Sequence, residues 1–192
     1  MEICNIKCSV KILLTSSLKV LKEKCIENRR WLCNDFGSYI VIKPNHTIRF
    51  IIFKPKTILN KNHINVTGVR SYSALDFAID LLCDFLECEK SEIELKIDNI
   101  SAKSDKLFQL LGDKSINLHS LLHALDNIYG SDIELRFNPD SFCALIIRDG
   151  NVTALVYNTG RIVIIGGKIE EDIIKCVDKI LKGAHNVLQS LL

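Results

Sequence analysis

The sequence predicts an α+β fold made of two related halves, each an antiparallel sheet covered on one face by helices. Three observations predict it. Matching landmarks recur at nearly one offset: Gly68 and Arg70 lie 98 residues before Gly166 and Lys168, and Asn5 lies 94 residues before Asn99. Repetition on that scale marks an internally duplicated architecture. Each half also runs strand, loop, strand, glycine, basic residue and amphipathic helix, as INVTGVRSYSALDFAIDLLCDFL (64–86) and NVTALVYNTGRIVIIGGKIEEDIIKCVDKIL (151–181) show side by side. Finally, short runs rich in Ile, Val, Tyr and Phe, the residues that suit a pleated half-buried surface, alternate with helical periodicity. The repeats are expected at 1–90 and 91–192.

Taken in order, residues 4–14 and 93–101 read as opening strands, and NIKCSVKILL (5–14) resembles NISAKSDKLF (99–108). Residues 18–25 and 116–125 read as short helices. Segments 38–43, 48–53 and 64–67, with their partners 142–148, 152–157 and 161–165, read as strands. The closing helix of the first half sets Ala74, Phe77, Ala78, Leu81, Leu82 and Phe85 on one stripe. Ile173, Ile174, Val177, Ile180, Leu181, Ala184 and Leu188 form the equivalent stripe in the second. One layer of helices leaves one sheet face bare, and a bare, partly apolar face marks a partner site.

Composition limits what that partner can be. With 47% hydrophobic and 25% charged residues, the 192-residue chain has the make-up of a globular protein rather than a disordered one. A net charge of +2 permits an acidic partner without demanding one, so a nucleic-acid contact needs cations placed on one face. The eight cysteines form no C-x-x-C pair, and the N-terminus lacks the basic start and apolar run of a secretory signal. Buried free thiols in a reducing compartment are expected, with no secretion and no membrane span. His119 and His123 lie four apart, but Ser120 stands where a zinc protease needs Glu, and Gly166-Gly167 lacks the Lys-Ser/Thr of a phosphate loop. No nucleophile–base pair or carboxylate pair emerges, so no enzyme, cofactor, metal or small-molecule substrate is expected.

Two segments, NDFGSYIVIKPNHTIRFIIF (34–53) and FNPDSFCALIIRDGNVTALVYNTGRIVIIGGKIEED (137–172), resemble the TATA-box-binding protein family, as do the strand openings around Asn5 and Asn99. The resemblance spans essentially the whole chain and is strongest in 137–172. It implies a saddle: a curved antiparallel sheet of ten strands, helices on the convex side, and a concave face laid on the DNA minor groove. Apolar wedges then unstack base steps and kink the duplex, the mode of this family. By the same resemblance Phe36 and Phe53, 17 positions apart, and Phe142 and Tyr157, 15 apart, take the wedge positions. Asn5, Asn99 and Thr67 take positions that read the groove, together with apolar Ile51, Leu155, Val163 and Ile165. Lys43, Arg70, Arg148, Arg161 and Lys168 fall at or beside phosphate-contacting positions. Pro139 and Asp140 fall in the stirrup that meets a factor-IIB-like protein.

The chain also departs from the family pattern. Tyr157 carries a hydroxyl, Ile165 replaces a threonine, and Lys7, Asn65 and Ser101 stand where valine is usual. The segment 54–63 replaces a tight turn, and a longer stretch precedes Phe142. The function implied is a transcription initiation factor that binds and bends A·T-rich promoter DNA and recruits a factor-IIB-like protein and RNA polymerase. Its place would be the nucleus or another intracellular site of transcription, a viral factory or cytoplasm if the source is viral or archaeal. An A·T-rich genome fits the abundance of Ile, Lys and Asn, and the sequence leaves virus, parasite and archaeon open. Two other readings fit the same residues: the same fold kept as a protein-interaction module without DNA binding, and an accessory subunit of a nucleic-acid enzyme. The bland alternatives are that the aromatic residues belong to the core and the basic ones to an ordinary solvated face.

Overall fold

Alternating burial along the strands lays out the architecture. In a computed structural model that describes residues 1–14, 16–27, 31–55 and 61–189, ten strands and five α-helices form two compact units. The first is Asn5–Asp98; the second joins Met1–Cys4 to Asn99–Leu192.

The first unit holds most of β1 (Glu2–Ile12), α1 (Leu18–Glu27), β2 (Leu32–Asp35), β3 (Tyr39–Lys43), β4 (Arg49–Phe53), β5 (Asn62–Val69) and α2 (Tyr72–Leu86). Its strands pair antiparallel in the order β2-β3-β4-β5-β1. Side chains alternate across a strand, so Phe50 and Ile52 are fully buried while Arg49, Ile51 and Phe53 of β4 face the other way. The buried side faces α2, which packs on β5, and α1, which packs on β2 and β3. Trp31 seals this core by stacking on Phe85 at 4.9 Å. Ser71 caps α2, its hydroxyl accepting from the Ala74 N–H.

The second unit holds most of β6 (Glu94–Ser104), then α3 (Lys106–Leu111), α4 (Leu118–Tyr129), β7 (Glu134–Arg136), β8 (Ala144–Asp149), β9 (Val152–Tyr157), β10 (Ile162–Gly167) and α5 (Glu170–Gln189). The antiparallel order is β6-β10-β9-β8-β7. Leu145, Ile147, Ala154, Val156, Ile162 and Ile164 turn inward, and α5 covers β9 and β10 while α4 packs on α5 and β8. Each large aliphatic side chain buried this way contributes about 1.5–3 kcal/mol. Glu170, Glu171 and Asp172 in the first turn of α5 suit its positive dipole end.

The structure corrects the sequence reading in four places. Phe77 is exposed, and the buried stripe of α2 is Leu75, Ala78, Ile79, Leu82, Cys83 and Phe85. Ile174 is likewise exposed, with Cys176, Gly183 and Val187 completing the buried stripe of α5. The short strands β2 and β7, which complete the ten strands implied by the resemblance, and the helix α3 were not located by periodicity, because three- to six-residue elements give no measurable period. Not every thiol is buried: Cys4 and Cys143 are exposed. Burial pushes the Cys8 and Cys176 thiols up to about 12, which keeps them protonated and inert. Of the unexpected segment 54–63, residues 56–60 lie outside the described residues.

Candidate nucleic-acid interface

The helix-free face of each unit follows from strand alternation. In the first unit the register sets Tyr39 beside Phe53, Val41 beside Ile51, Ile51 beside Asn65, and Arg49 beside Thr67. Phe36 sits just before β3 in a turn built by its neighbours. The Asp35 carboxylate accepts from the Gly37 N–H at 2.9 Å, and the Phe36 N–H donates to the Tyr39 carbonyl at 3.0 Å. The Gly37 N–H and then the Lys22 ammonium, 3.0 Å away, hold the Asp35 carboxyl below the usual carboxylate range. The turn leaves Phe36 55% exposed with its ring stacked on Tyr39 at 4.9 Å. Tyr39 tilts against Phe53 at 5.6 Å, and Phe53 against His63 at 5.8 Å, so four rings form a continuous row.

The corresponding turn of the second unit uses Asn138. Its backbone carbonyl accepts from the Ser141 and Phe142 N–H groups, and its side-chain oxygen accepts from the Asp140 N–H. Pro139 and Asp140 are exposed on that turn, and Phe142 stands 40% exposed after it. Tyr157 ends β9 opposite Ala144, half-buried, its N–H donating to the Arg161 carbonyl. Among the described residues, neither Phe142 nor Tyr157 has a ring partner. Leu155 is half-buried on this face, and Val163 and Ile165 are 37% and 42% exposed.

One device occurs in both units. The Asn5 side-chain oxygen accepts from the Gly68 N–H at 2.8 Å, and that of Asn99 accepts from the Gly166 N–H at 2.8 Å. Both contacts lie beside register shifts, between β1 and β5 and between β6 and β10. The glycines have φ of +83° and +87°, and a Cβ would stand 1.8 Å from the Thr47 carbonyl oxygen or 2.5 Å from that of Asn151. With the oxygen held, each amide keeps its NH2 as a donor. Thr67 also donates to the Asn5 oxygen at 3.3 Å, whereas the Asn99 NH2 donates to the Ser101 hydroxyl at 3.1 Å.

The expected cations differ in freedom. Arg70 and Lys168 are exposed just past β5 and β10. Arg161 lies 6.0 Å over the Phe108 ring, and Lys43 is half-buried opposite Leu32. Arg148 is ion-paired to Glu134 at 3.4 Å, and Glu134 also binds Arg136. Sequence reasoning missed Tyr39, His63 and Glu134. The period-2 alternation of β3, β5 and β7 carried their face, but their partners are set by cross-strand register.

His119 meets the Phe137 ring edge-on at 4.8 Å, and no group of three metal-ligating side chains gathers among the described residues. No described helix is long and apolar enough to cross a membrane.

Comparison with known proteins gives this face a context. The family model described as transcription factor TFIID (or TATA-binding protein, TBP) matches residues 94–185. TATA-box-binding protein 3 of Methanosarcina mazei is 26% identical over 175 residues, covering 88% of this chain and 85% of the relative. The TATA-box-binding protein of Natronomonas pharaonis is 30% identical over 132 residues, covering 65% and 64%. The solved structure of Methanococcus jannaschii TBP superposes with a TM-score of 0.59 at 21% identity, covering 96% of this chain and 97% of that one. That likeness extends to the mixed α+β fold with its antiparallel strands and helices.

Proposed function

The chain belongs to the TATA-box-binding protein family, and from that premise we propose that it binds A·T-rich promoter DNA through the minor groove and bends it. Membership makes it a transcription initiation factor, and its relatives carry the names of transcription factors rather than enzymes. An intracellular site of transcription follows as its workplace.

The observation that supports the reading best is the paired Asn–Gly device. At A·T pairs the minor groove offers only the acceptors of adenine N3 and thymine O2, and an amide held by its oxygen presents hydrogens to them. Asn5 and Asn99 are held that way by Gly68 and Gly166. Phe36 with Phe53 and Phe142 with Tyr157 then serve as wedges. Unstacking costs a few kcal/mol per step, offset by the contact area that bent DNA gains. Arg70, Arg161, Lys168 and Lys43 position the duplex on its phosphates, and Arg148 joins them when it leaves Glu134. Ile51, Leu155, Val163, Ile165 and Thr67 line the groove contact. The Asn138 turn, with Pro139 and Asp140, presents the surface for a factor-IIB-like protein, which brings RNA polymerase.

The test is equilibrium binding to A·T-rich and G·C-rich duplexes over a salt series. The reading expects an A·T preference and an affinity falling steeply with salt, by about 0.9 in log–log slope per phosphate contacted. Equal, salt-insensitive or undetectable binding by the folded chain would overturn it. A second reading, the same fold acting as an interaction module within a transcription complex, is favoured by the Arg148–Glu134 pair, which withholds a cation from DNA. A DNA-independent complex with a transcription factor would establish it.

A further inference from the structure

In the first unit, the position next to the groove-reading Thr67 on the same strand face is Asn65. Asn65 is half-buried, with Ile51 and Ser9 as its cross-strand neighbours. Its side-chain oxygen lies 2.9 Å from Nε2 of His63, two residues back on the same face. That contact is a hydrogen bond when Nε2 carries the proton and donates. His63 is itself set by its ring contact with Phe53. A line of contacts therefore runs from a wedge ring, through an imidazole, to a carboxamide whose oxygen is occupied.

We infer that His63 and Asn65 form a base-discriminating pair, with Asn65 touching the base edges and His63 as its positioning residue. The inference rests on the minor-groove reading above. An amide has two faces to offer DNA. Its NH2 matches the acceptors that every A·T pair shows, and it opposes the N2 amine that guanine adds to the groove. Its oxygen does the reverse and accepts from that amine. By occupying the oxygen, His63 commits Asn65 to the NH2 presentation, so the base pair beneath it must lack an amine. The second unit has no counterpart, since at the 98-residue offset that relates Gly68 to Gly166 the places of His63 and Asn65 are taken by Arg161 and Val163.

The experiment walks one base-pair replacement through an A·T-rich duplex, using G·C and inosine·C in turn. Inosine lacks the N2 amine and separates minor-groove reading from other effects. Wild type, His63→Phe and Asn65→Ala are compared after their folds are matched by circular dichroism. His63→Phe keeps a ring against Phe53 and removes only the N–H. At one position the wild type is expected to lose on the order of tenfold in affinity for G·C and to tolerate inosine·C. His63→Phe frees the amide to rotate and shrinks that loss to within about twofold while still binding the parent duplex. Asn65→Ala also removes the discrimination and weakens binding to the parent. If both variants keep the wild-type penalty for G·C at every position, the pair does not discriminate and the inference fails alone. If folded wild type binds none of the duplexes, the DNA-binding function fails and this inference with it.

Discussion

The two units carry unlike chemistry on their helix-free faces, although both bury mainly aliphatic side chains on their helix-covered ones. In the first, Phe36, Tyr39, Phe53 and His63 run ring to ring, flanked by Asn65, Lys7 and Arg49. In the second, Phe142 and Tyr157 stand without ring partners among the described residues, and Leu155, Val163 and Ile165 keep the neighbouring strands apolar on this face. Inward-facing residues in both are mainly Ile, Val, Leu, Ala and Cys, with buried Phe (Phe50 and Phe85) in the first unit. Close packing at the core tolerates little change in volume, whereas an open face is constrained only by what it binds. The units therefore share a scaffold and have diverged as surfaces.

The largest effect expected tests the division between faces within one strand. Phe50→Ala should cost about 3–5 kcal/mol in denaturant unfolding, since it empties a fully buried site. Ile51→Ala on the open face should cost far less, and equal costs would erase the distinction. Next, Gly68→Ala and Gly166→Ala should each lose about 1–3 kcal/mol to backbone strain. Gly68→Ala should be the worse of the two, because its Cβ meets Thr47 at 1.8 Å against 2.5 Å to Asn151 for Gly166. A reversed order, measured by thermal unfolding, would mean the two bulges are not equivalent devices.

A smaller effect probes the aromatic row. Tyr39→Ala removes two ring contacts, each worth about 0.5–1.5 kcal/mol beyond area burial, while Tyr157→Phe removes none. The first should lower the melting temperature and the second leave it unchanged. The smallest effect concerns charge. The Asp35 carboxyl is held below its usual range in the folded chain, so its cap on the Phe36 turn is fully present above the ordinary carboxylate pKa. The cap is lost as pH falls through the lower folded value. Chemical shifts of Phe36 should therefore hold steady from neutral to mildly acidic pH and move only below the ordinary carboxylate range, while those of Phe142 ignore that titration.

Much of the scaffold was legible because its strands carry strong β-formers and clear alternation: the outward Ile51 and Phe53 and the inward Phe50 and Ile52 could be assigned from order alone. The stripe of α2 was misplaced because Phe77, an exposed apolar residue, draws a periodicity reading toward itself. At the candidate site, Asn5 and Asn99 could be named from the repeat and the family pattern. Their anchoring by Gly68 and Gly166 could not, since it depends on bulges that shift register between strands distant in sequence. The same holds for Tyr39 and His63, ordinary strand residues until β3, β4 and β5 come together, and for Glu134, whose capture of Arg148 spans β7 and β8.

In the proposed function these faces bend DNA by wedging. Duplexes labelled at both ends with a fluorophore pair, titrated with wild type and with Phe142→Ala, test it most directly. Energy transfer should rise on wild-type binding to A·T-rich DNA, and Phe142→Ala should largely lose that rise with its fold intact. Bound DNA that stays straight with wild type, or bends equally with Phe142→Ala, would contradict it.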